Sequence, residues 1–410
     1  MQTQVAILGA GPAGLFLSHL LHLQGIDSIV IESRSREYVE GRLRAGVLEK
    51  GTVDALVEAG LGESLLREGL RHKEINFRFG GRNHTLDLDD LSGGRYVTVY
   101  GQQKVVKDII AARMAAQGKI LFETKAEEIL GIETTNPRVR IVTKNGEQQE
   151  ISCELVAGCD GFHGISRETI PSSILKTFER VYPFAWLGIL AEAPPIFNCV
   201  TNVYHEERGF ALLSMRSRTL SRLYMQCDPN EKLEDWPDER IWDELERRLE
   251  GTEKCTLVRG PILNKGITPM RSFVAEPMSY RRLFLAGDSA HIVPPTGAKG
   301  MNLAMADIRV LAPAMIDYFK TGATRLLDAY SDTCLRRVWK VERFSWSVTS
   351  MTHNFPEESR FDRRMRSATL DYLTSSKASG TTFAENFVGL PLENSEVQDN
   401  ERDQRTVMLK

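Results

Sequence analysis

The sequence predicts an α/β fold: a strand–helix–strand unit opens the chain, an antiparallel sheet interrupts it, and long helices close it. Three observations predict this. An apolar strand at 4–8 runs through Gly9-Ala10-Gly11-Pro12-Ala13-Gly14 into a helical period at about 13–24, apolar at Leu15, Leu17, Leu20 and Leu21, and then into a second strand at 26–31. Between 181 and 275 the chain alternates, as in Gly209–Met215 and Ser221–Cys227, the pattern of a half-buried antiparallel sheet. A strand then returns at 282–287, followed by helical periods at about 302–318 and 324–350.

The remaining elements follow in order. A helical region at about 47–70 is punctuated by Gly60, Gly62 and Gly69. Strands are predicted at 75–79 and 96–99 and a helix at 105–116. Asn145-Gly146 marks a turn between strands at 139–143 and 150–157. One polar helix, Asp238–Leu249, closes the antiparallel region. A chain of 410 residues exceeds one core. We divide it into a discontinuous nucleotide-binding domain (1–72, 98–180 and 270–345), an inserted domain (73–97 and 181–269), a C-terminal helical region (346–391) and a polar, loose tail (392–410).

Composition narrows the function classes. With 42% apolar and 26% charged residues and a net charge of −3, the chain carries no electrostatic footprint for nucleic acid or anionic membrane. The most apolar stretch, 5–23, is broken by Gly and Pro, so no membrane span is predicted and the expected location is the cytoplasm. The six cysteines show no C-x-x-C spacing, which argues against a zinc site or a redox dithiol and for buried thiols; no metal site is expected.

The opening turn has the chemistry of a phosphate cradle. Gly9 permits the turn, Gly11 lets a pyrophosphate approach the backbone, and Gly14 lets helix and strand pack closely. Glu32, about 20 residues on, stands where an acid binds an adenosine ribose. Two later motifs distinguish FAD from NAD. Asp160 follows an apolar strand in Cys159-Asp160-Gly161-Phe162-His163-Gly164. Asp288, in Leu285-Ala286-Gly287-Asp288, precedes a Pro-rich turn into a helix and is placed to bind ribityl hydroxyls, while that helix's N-terminus faces a reduced flavin. Together the three motifs make the first domain a Rossmann-like FAD-binding domain.

With these motifs and the stretches 41–49, 97–102, 158–167, 178–184 and 291–300, the chain resembles the single-component FAD-dependent aromatic hydroxylases of the 4-hydroxybenzoate 3-monooxygenase type, over residues 1 to about 391. The resemblance implies a monooxygenase in which NAD(P)H reduces FAD and O2 forms a C4a-hydroperoxyflavin that hydroxylates a para-substituted benzoate at C3. It implies that Ser214, Arg216 and Tyr224 hold the substrate carboxylate, a planar anion suited to a guanidinium. Thr296 belongs to the same pocket, the Pro295 carbonyl faces the para substituent, and Arg222 stands beside the flavin. Arg44, Gln102, Lys299, Gly300 and Asn302 line the flavin, and Arg42, His163, Arg167 and Arg271 match positions linked to the nicotinamide cofactor. Homodimers are common among such enzymes, and the resemblance implies one here.

One part of the family pattern is broken. In the family two active-site tyrosines relay the phenol proton toward a histidine. His72 is retained, but the tyrosine positions align with Val203 and Phe387, with Tyr204 one residue out of register on the opposite side of a regular strand. A substrate whose donor needs no deprotonation tolerates that loss, so 4-aminobenzoate is the leading expectation. The alternatives are 4-hydroxybenzoate, giving 3,4-dihydroxybenzoate, and 3,4-dihydroxybenzoate as substrate. Arg34 and Arg36, near Tyr38, suit the 2′-phosphate of NADPH, with NADH the alternative. A flavin disulfide reductase lacks its dithiol here, and a non-catalytic flavoprotein has no use for a carboxylate clamp.

Overall fold

The computed structural model describes residues 1–42 and 46–392; Arg44 and the expected tail beyond 392 lie outside the described residues. The first unit is β1 (Val5–Leu8), α1 (Pro12–His22) and β2 (Ser28–Ile31). β3 (Leu70–His72), β4 (Glu74–Phe79), β5 (Val97–Val99) and α2 (Gln102–Ala115) follow. Then come β6 (Leu155–Gly158), β7 (Lys176–Ala191), β8 (Val200–His205), β9 (Gly209–Met215), β10 (Ser221–Cys227), α3 (Asp238–Leu249) and β11 (Ile262–Glu276). The chain ends with β12 (Leu283–Leu285), α4 (Gly300–Thr321), α5 (Tyr330–Thr352), α6 (Arg360–Ser375) and α7 (Lys377–Val388).

β1 lies inside a six-stranded sheet, paired in parallel with β2 and β6, while β6 pairs in parallel with β12. Every residue of β1 is buried, as expected of a parallel strand covered on both faces. The single strand predicted at 150–157 is two. Gln148–Ser152 belongs to a three-stranded antiparallel sheet, and the chain changes partners at Cys153, whose N–H bonds to Pro137, before Leu155 bonds to Gln4. The predicted helical region 47–70 also divides, into a two-residue strand and helices Lys50–Glu58 and Glu63–Glu68. Gly62 separates these helices, and a Cβ there would stand 2.7 Å from the Val57 side chain.

The second sheet has eight strands, in the order His291–Ile292, β11, β7, β10, β9, β8, β4 and Arg82–Asp87. Its two faces pack against different partners. On one, Leu187, Val203, Ala211, Leu213, Leu223 and Met225 meet Ile241, Trp242, Leu245 and Leu249 of the amphipathic α3. On the other, Phe77, Trp186, Phe210, Leu212 and Tyr224 meet Phe344 and Val348 of α5 and Phe383 and Phe387 of α7. That second face also carries Ser214 and Arg222, so the candidate substrate cleft lies on it, beside the C-terminal helices. β7 and β11, the longest strands, pair from Lys176–Glu276 to Ala191–Ile262, with a register shift around Pro183 where the strand lacks an N–H.

Candidate active site

The glycine turn is built as its spacing requires. Gly9 has φ +97°, and a Cβ there would lie 2.3 Å from the Cys159 carbonyl oxygen; one on Gly14 would lie 2.1 Å from the Gly9 carbonyl oxygen. Gly11 differs, since a Cβ there would meet nothing within 4 Å. Packing explains Gly9 and Gly14, and open space for a ligand in front of α1 is what remains for Gly11. Pro12 at the first helical position leaves the helix end free to face an anion. Glu32 accepts from the Ala10 and Arg34 N–H groups, both at 2.8 Å, which fixes the carboxylate beside the turn with lone pairs left for ribose hydroxyls. These residues fit the adenosine diphosphate half of FAD.

Asp160 lies against Gly164, with one oxygen accepting from Ser166 N–H at 3.0 Å and the other, Oδ1, buried without a partner. Burial raises its pKa above the usual carboxylate value. Asp288 is exposed between buried Gly287 and Ser289. The turn presenting it is rigid: Gly287 N–H donates to Asp307 Oδ2 at 2.9 Å, His291 Nε2 lies 2.7 Å from the same oxygen, and Ser289 Oγ donates to Gly158 at 2.6 Å. Burial opposes charge on His291, but Asp307 outweighs it and its pKa is raised. The Asp307–His291 pair was not read from the sequence, where 16 residues separate the two.

At the start of α4 two of the residues expected beside the flavin are bonded within the chain. Lys299 is buried, and its Nζ donates to Glu49 Oε1 at 2.5 Å and to the carbonyls of Asn386 and Phe387 at 2.5 and 2.9 Å. All three ammonium protons are thereby engaged within the chain. The Asn302 amide is likewise committed to Glu49 N–H and the carbonyls of Val47 and Ala298. Both side chains tie the start of α4 to Glu49, Val47 and the end of α7. Gly300, where a Cβ would meet nothing within 4 Å, leaves the helix start open. Gln102 is half-buried at the start of α2.

The substrate side is organised by strand parity. Ser214 lies opposite Arg222, Leu212 opposite Tyr224, and Arg216 continues the same face beyond β9. Arg216 Nη1 and Arg222 Nη1 are buried without partners. Burial lowers the Arg216 pKa, Tyr224 favours its charge and Arg222 opposes it. The Ser214 hydroxyl makes only a 3.5 Å contact, with the Met215 carbonyl. His72 is buried with both ring nitrogens unpartnered, and burial, then Arg216, lowers its pKa to about 4.

Val203 is not in this cleft. The β8–β9 ladder runs in regular register with Val203 opposite Ala211, both against α3, so the expectation that Val203 lines the pocket is corrected. The cleft face carries Asn202 and Tyr204 instead. Tyr204 accepts from Arg366 Nη1 at 3.2 Å. Asn202, opposite Leu212, keeps a buried Oδ1 without a partner. Sequence reading missed it because the alignment offset by one residue hid its parity. Phe387 is buried and stacks on Phe383 at 5.6 Å. Pro295 is exposed, and its carbonyl accepts from Ala298 N–H at 2.9 Å with one lone pair to spare. Thr296 is buried, with its hydroxyl 2.7 Å from Thr349 Oγ1 of α5.

A further group lies outside the cleft. Phe162 stands between Arg167 and Arg271, whose guanidinium carbons lie 4.8 and 4.6 Å from its ring centre, and His163 packs on it edgewise. Arg167 also donates to the Ser289 and Phe162 carbonyls, and Arg271 pairs with Glu179 at 3.0 Å. Exposed Arg34 lies over the Tyr38 ring, and Arg42, at the end of the same short helix, is exposed. The six cysteines are unpaired and five are buried. Among the described residues no helix is long and apolar enough to cross a membrane.

The FAD binding domain family model matches residues 2–345, so the chain belongs to that family. It is an FAD-dependent aromatic-ring monooxygenase using NAD(P)H and O2. The chain is 47% identical to p-hydroxybenzoate hydroxylase of Acinetobacter baylyi over 393 residues, 96% of each protein. Among solved structures, p-nitrophenol 4-monooxygenase from Pseudomonas putida superposes with a TM-score of 0.81 at 20% identity, covering 95% of this chain and 99% of that one. Aklavinone-11 hydroxylase, solved with FAD and aklavinone, gives a TM-score of 0.72 at 21% identity, covering 86% and 69%. The α/β architecture expected from the sequence is the architecture these enzymes share.

Proposed function

We propose that this enzyme hydroxylates 4-aminobenzoate at C3. The observation that carries the reading is the buried, unpartnered Nη1 of Arg216 beside Ser214 and Tyr224, a donor set for a carboxylate. Bound FAD, reduced by NADPH, supplies an oxygen atom from O2 to the ring. The chain orients the ring between Arg216 and the Pro295 carbonyl. Arg222 adds positive charge, and Phe344, Phe383 and Phe387 exclude water. Gly9, Gly11, Gly14, Glu32, Asp160, Asp288, Gln102 and Gly300 hold FAD, Lys299 and Asn302 acting on it through the backbone they brace. Arg34, Tyr38, Arg42, His163, Arg167 and Arg271 receive NADPH.

The amine reading is supported by Phe387, which has no hydroxyl, and by the engagement of Tyr204 with Arg366. A neutral aromatic amine is strongly donating without losing a proton. The second reading, 4-hydroxybenzoate, is favoured by the identity with p-hydroxybenzoate hydroxylase. FAD-loaded enzyme given NADPH, O2 and each acid tests the choice: coupled product formation with the amine supports the first reading, and coupling with the phenol alone overturns it. The exposed Phe361, Met365 and Tyr372 on α6 support a homodimer through that helix, to be checked by light scattering.

A further inference from the structure

We propose that Asn202 selects the para substituent, its side-chain amide oxygen accepting a hydrogen bond from the substrate's amino group. This rests on the 4-aminobenzoate reading and assigns a residue to it. Strand pairing places Phe77, Asn202, Leu212, Tyr224 and Gly188 in one row across five strands, on the face that carries Ser214 and Arg216. The Asn202 side chain is therefore flanked by Phe77 and Leu212, neither of which has a polar side-chain atom.

Asn202 is 2% exposed, and its Oδ1 is buried with no partner. A buried amide oxygen left in that state costs stability, so such groups mark places where a ligand completes the hydrogen bonding. The next residue on the same face, Tyr204, already accepts a hydrogen bond from Arg366. The Asn202 row lies four residues along β9 from Arg216, about 14 Å at ~3.4 Å per residue. An extended arginine and a para-substituted benzoate laid end to end span that gap, with the carboxylate at Arg216 and the para group at Asn202.

The pairing also distinguishes donors. An amine has two N–H groups, and the proposed pose gives them two acceptors, Asn202 Oδ1 and the free lone pair of the Pro295 carbonyl. A phenol has one O–H and leaves one acceptor unmet. Neither an amide oxygen nor a backbone carbonyl takes up a proton at neutral pH, so this arrangement suits a substrate that keeps its protons.

The test measures binding of 4-aminobenzoate, 4-hydroxybenzoate and benzoate to FAD-loaded wild type, Asn202→Leu and Asn202→Asp, by perturbation of the flavin spectrum. Asn202→Leu should weaken 4-aminobenzoate tenfold or more relative to benzoate, a ratio that general loosening of the sheet would not move, and Asn202→Asp, which keeps an acceptor, should recover most of it. Should Asn202→Leu not fold, Asn202→Ala carries the same comparison. If wild type prefers 4-aminobenzoate but the variants weaken all three acids equally or not at all, the substrate reading stands and the role of Asn202 is overturned. If wild type prefers 4-hydroxybenzoate, the substrate reading fails and the amine–amide pairing fails with it.

Discussion

Lys299 and Glu49, 250 residues apart in sequence, form a buried ion pair at 2.5 Å that also clamps the end of α7. Arg337 adds a second, longer contact to the same carboxylate at 3.2 Å. Removing one partner of a buried pair leaves the other charge uncompensated. Lys299→Met should therefore lower the unfolding free energy by about 3 kcal/mol, the lower end of the range for such losses because Arg337 remains. Chemical denaturation checks this.

Gly11 and Gly14 should separate cofactor binding from folding. A Cβ on Gly14 meets backbone, so Gly14→Ala should destabilise even the flavin-free protein, by about 3 kcal/mol. A Cβ on Gly11 meets nothing within 4 Å, so Gly11→Ala should fold normally and lose FAD affinity. Melting of apoenzyme alongside FAD titration reads both effects.

Arg216→Ala should weaken binding of any benzoate about 100-fold, the loss of a charged donor pair from a buried site, while FAD content stays unchanged. Substrate-stimulated NADPH oxidation should fall in parallel. Arg216→Lys should recover only part, because an ammonium lacks two parallel donors.

Two buried groups should tilt stability against pH in opposite directions. His72 is held at about 4 by burial and then Arg216, against 6.5 unfolded. Between those values the unfolded chain binds the proton and the native one does not, so this group's contribution to stability falls as pH falls from 6.5 to 4. Glu342 is raised by burial to about 7, against 4.5 unfolded, so the native state holds the proton and its contribution falls as pH rises from 4.5 to 7. Relative to wild type, His72→Leu should gain up to about 3 kcal/mol more at pH ~4 than at pH ~7, and Glu342→Gln should show the reverse trend. Denaturant unfolding across this range measures both.

Exposed Arg34, over Tyr38, carries the expectation of NADPH preference. Arg34→Ala should raise KM for NADPH several-fold and leave KM for NADH unchanged, as steady-state kinetics with the two cofactors would show.

Much of this was legible in the sequence because local chemistry enforced it. The glycine turn, β9, β10 and α3 are fixed by short-range period and turn residues, and the predicted bounds of the last three coincide with the structure. What escaped depends on partners distant in sequence. The break at Cys153 appears only when Pro137 and Gln4 are known to compete for the chain. Val203 was placed in the cleft because a one-residue offset in β8 reverses every side chain, and only the pairing with β9 fixes that parity. The bond from Lys299 to Glu49 was not legible because the two lie 250 residues apart.

β7 and β11 run 16 and 15 residues and lie side by side along nearly their whole length. At one end their pairing includes Phe178–Val274, and Val274 packs in the core beneath the glycine turn; at the other it includes Leu187–Ile267, and Leu187 packs under α3. The two cores therefore share one continuous pair of strands. Heating should melt them in one calorimetric transition, and excision of the antiparallel lobe should yield no independently folding fragment, because each cut would sever a strand that serves both cores.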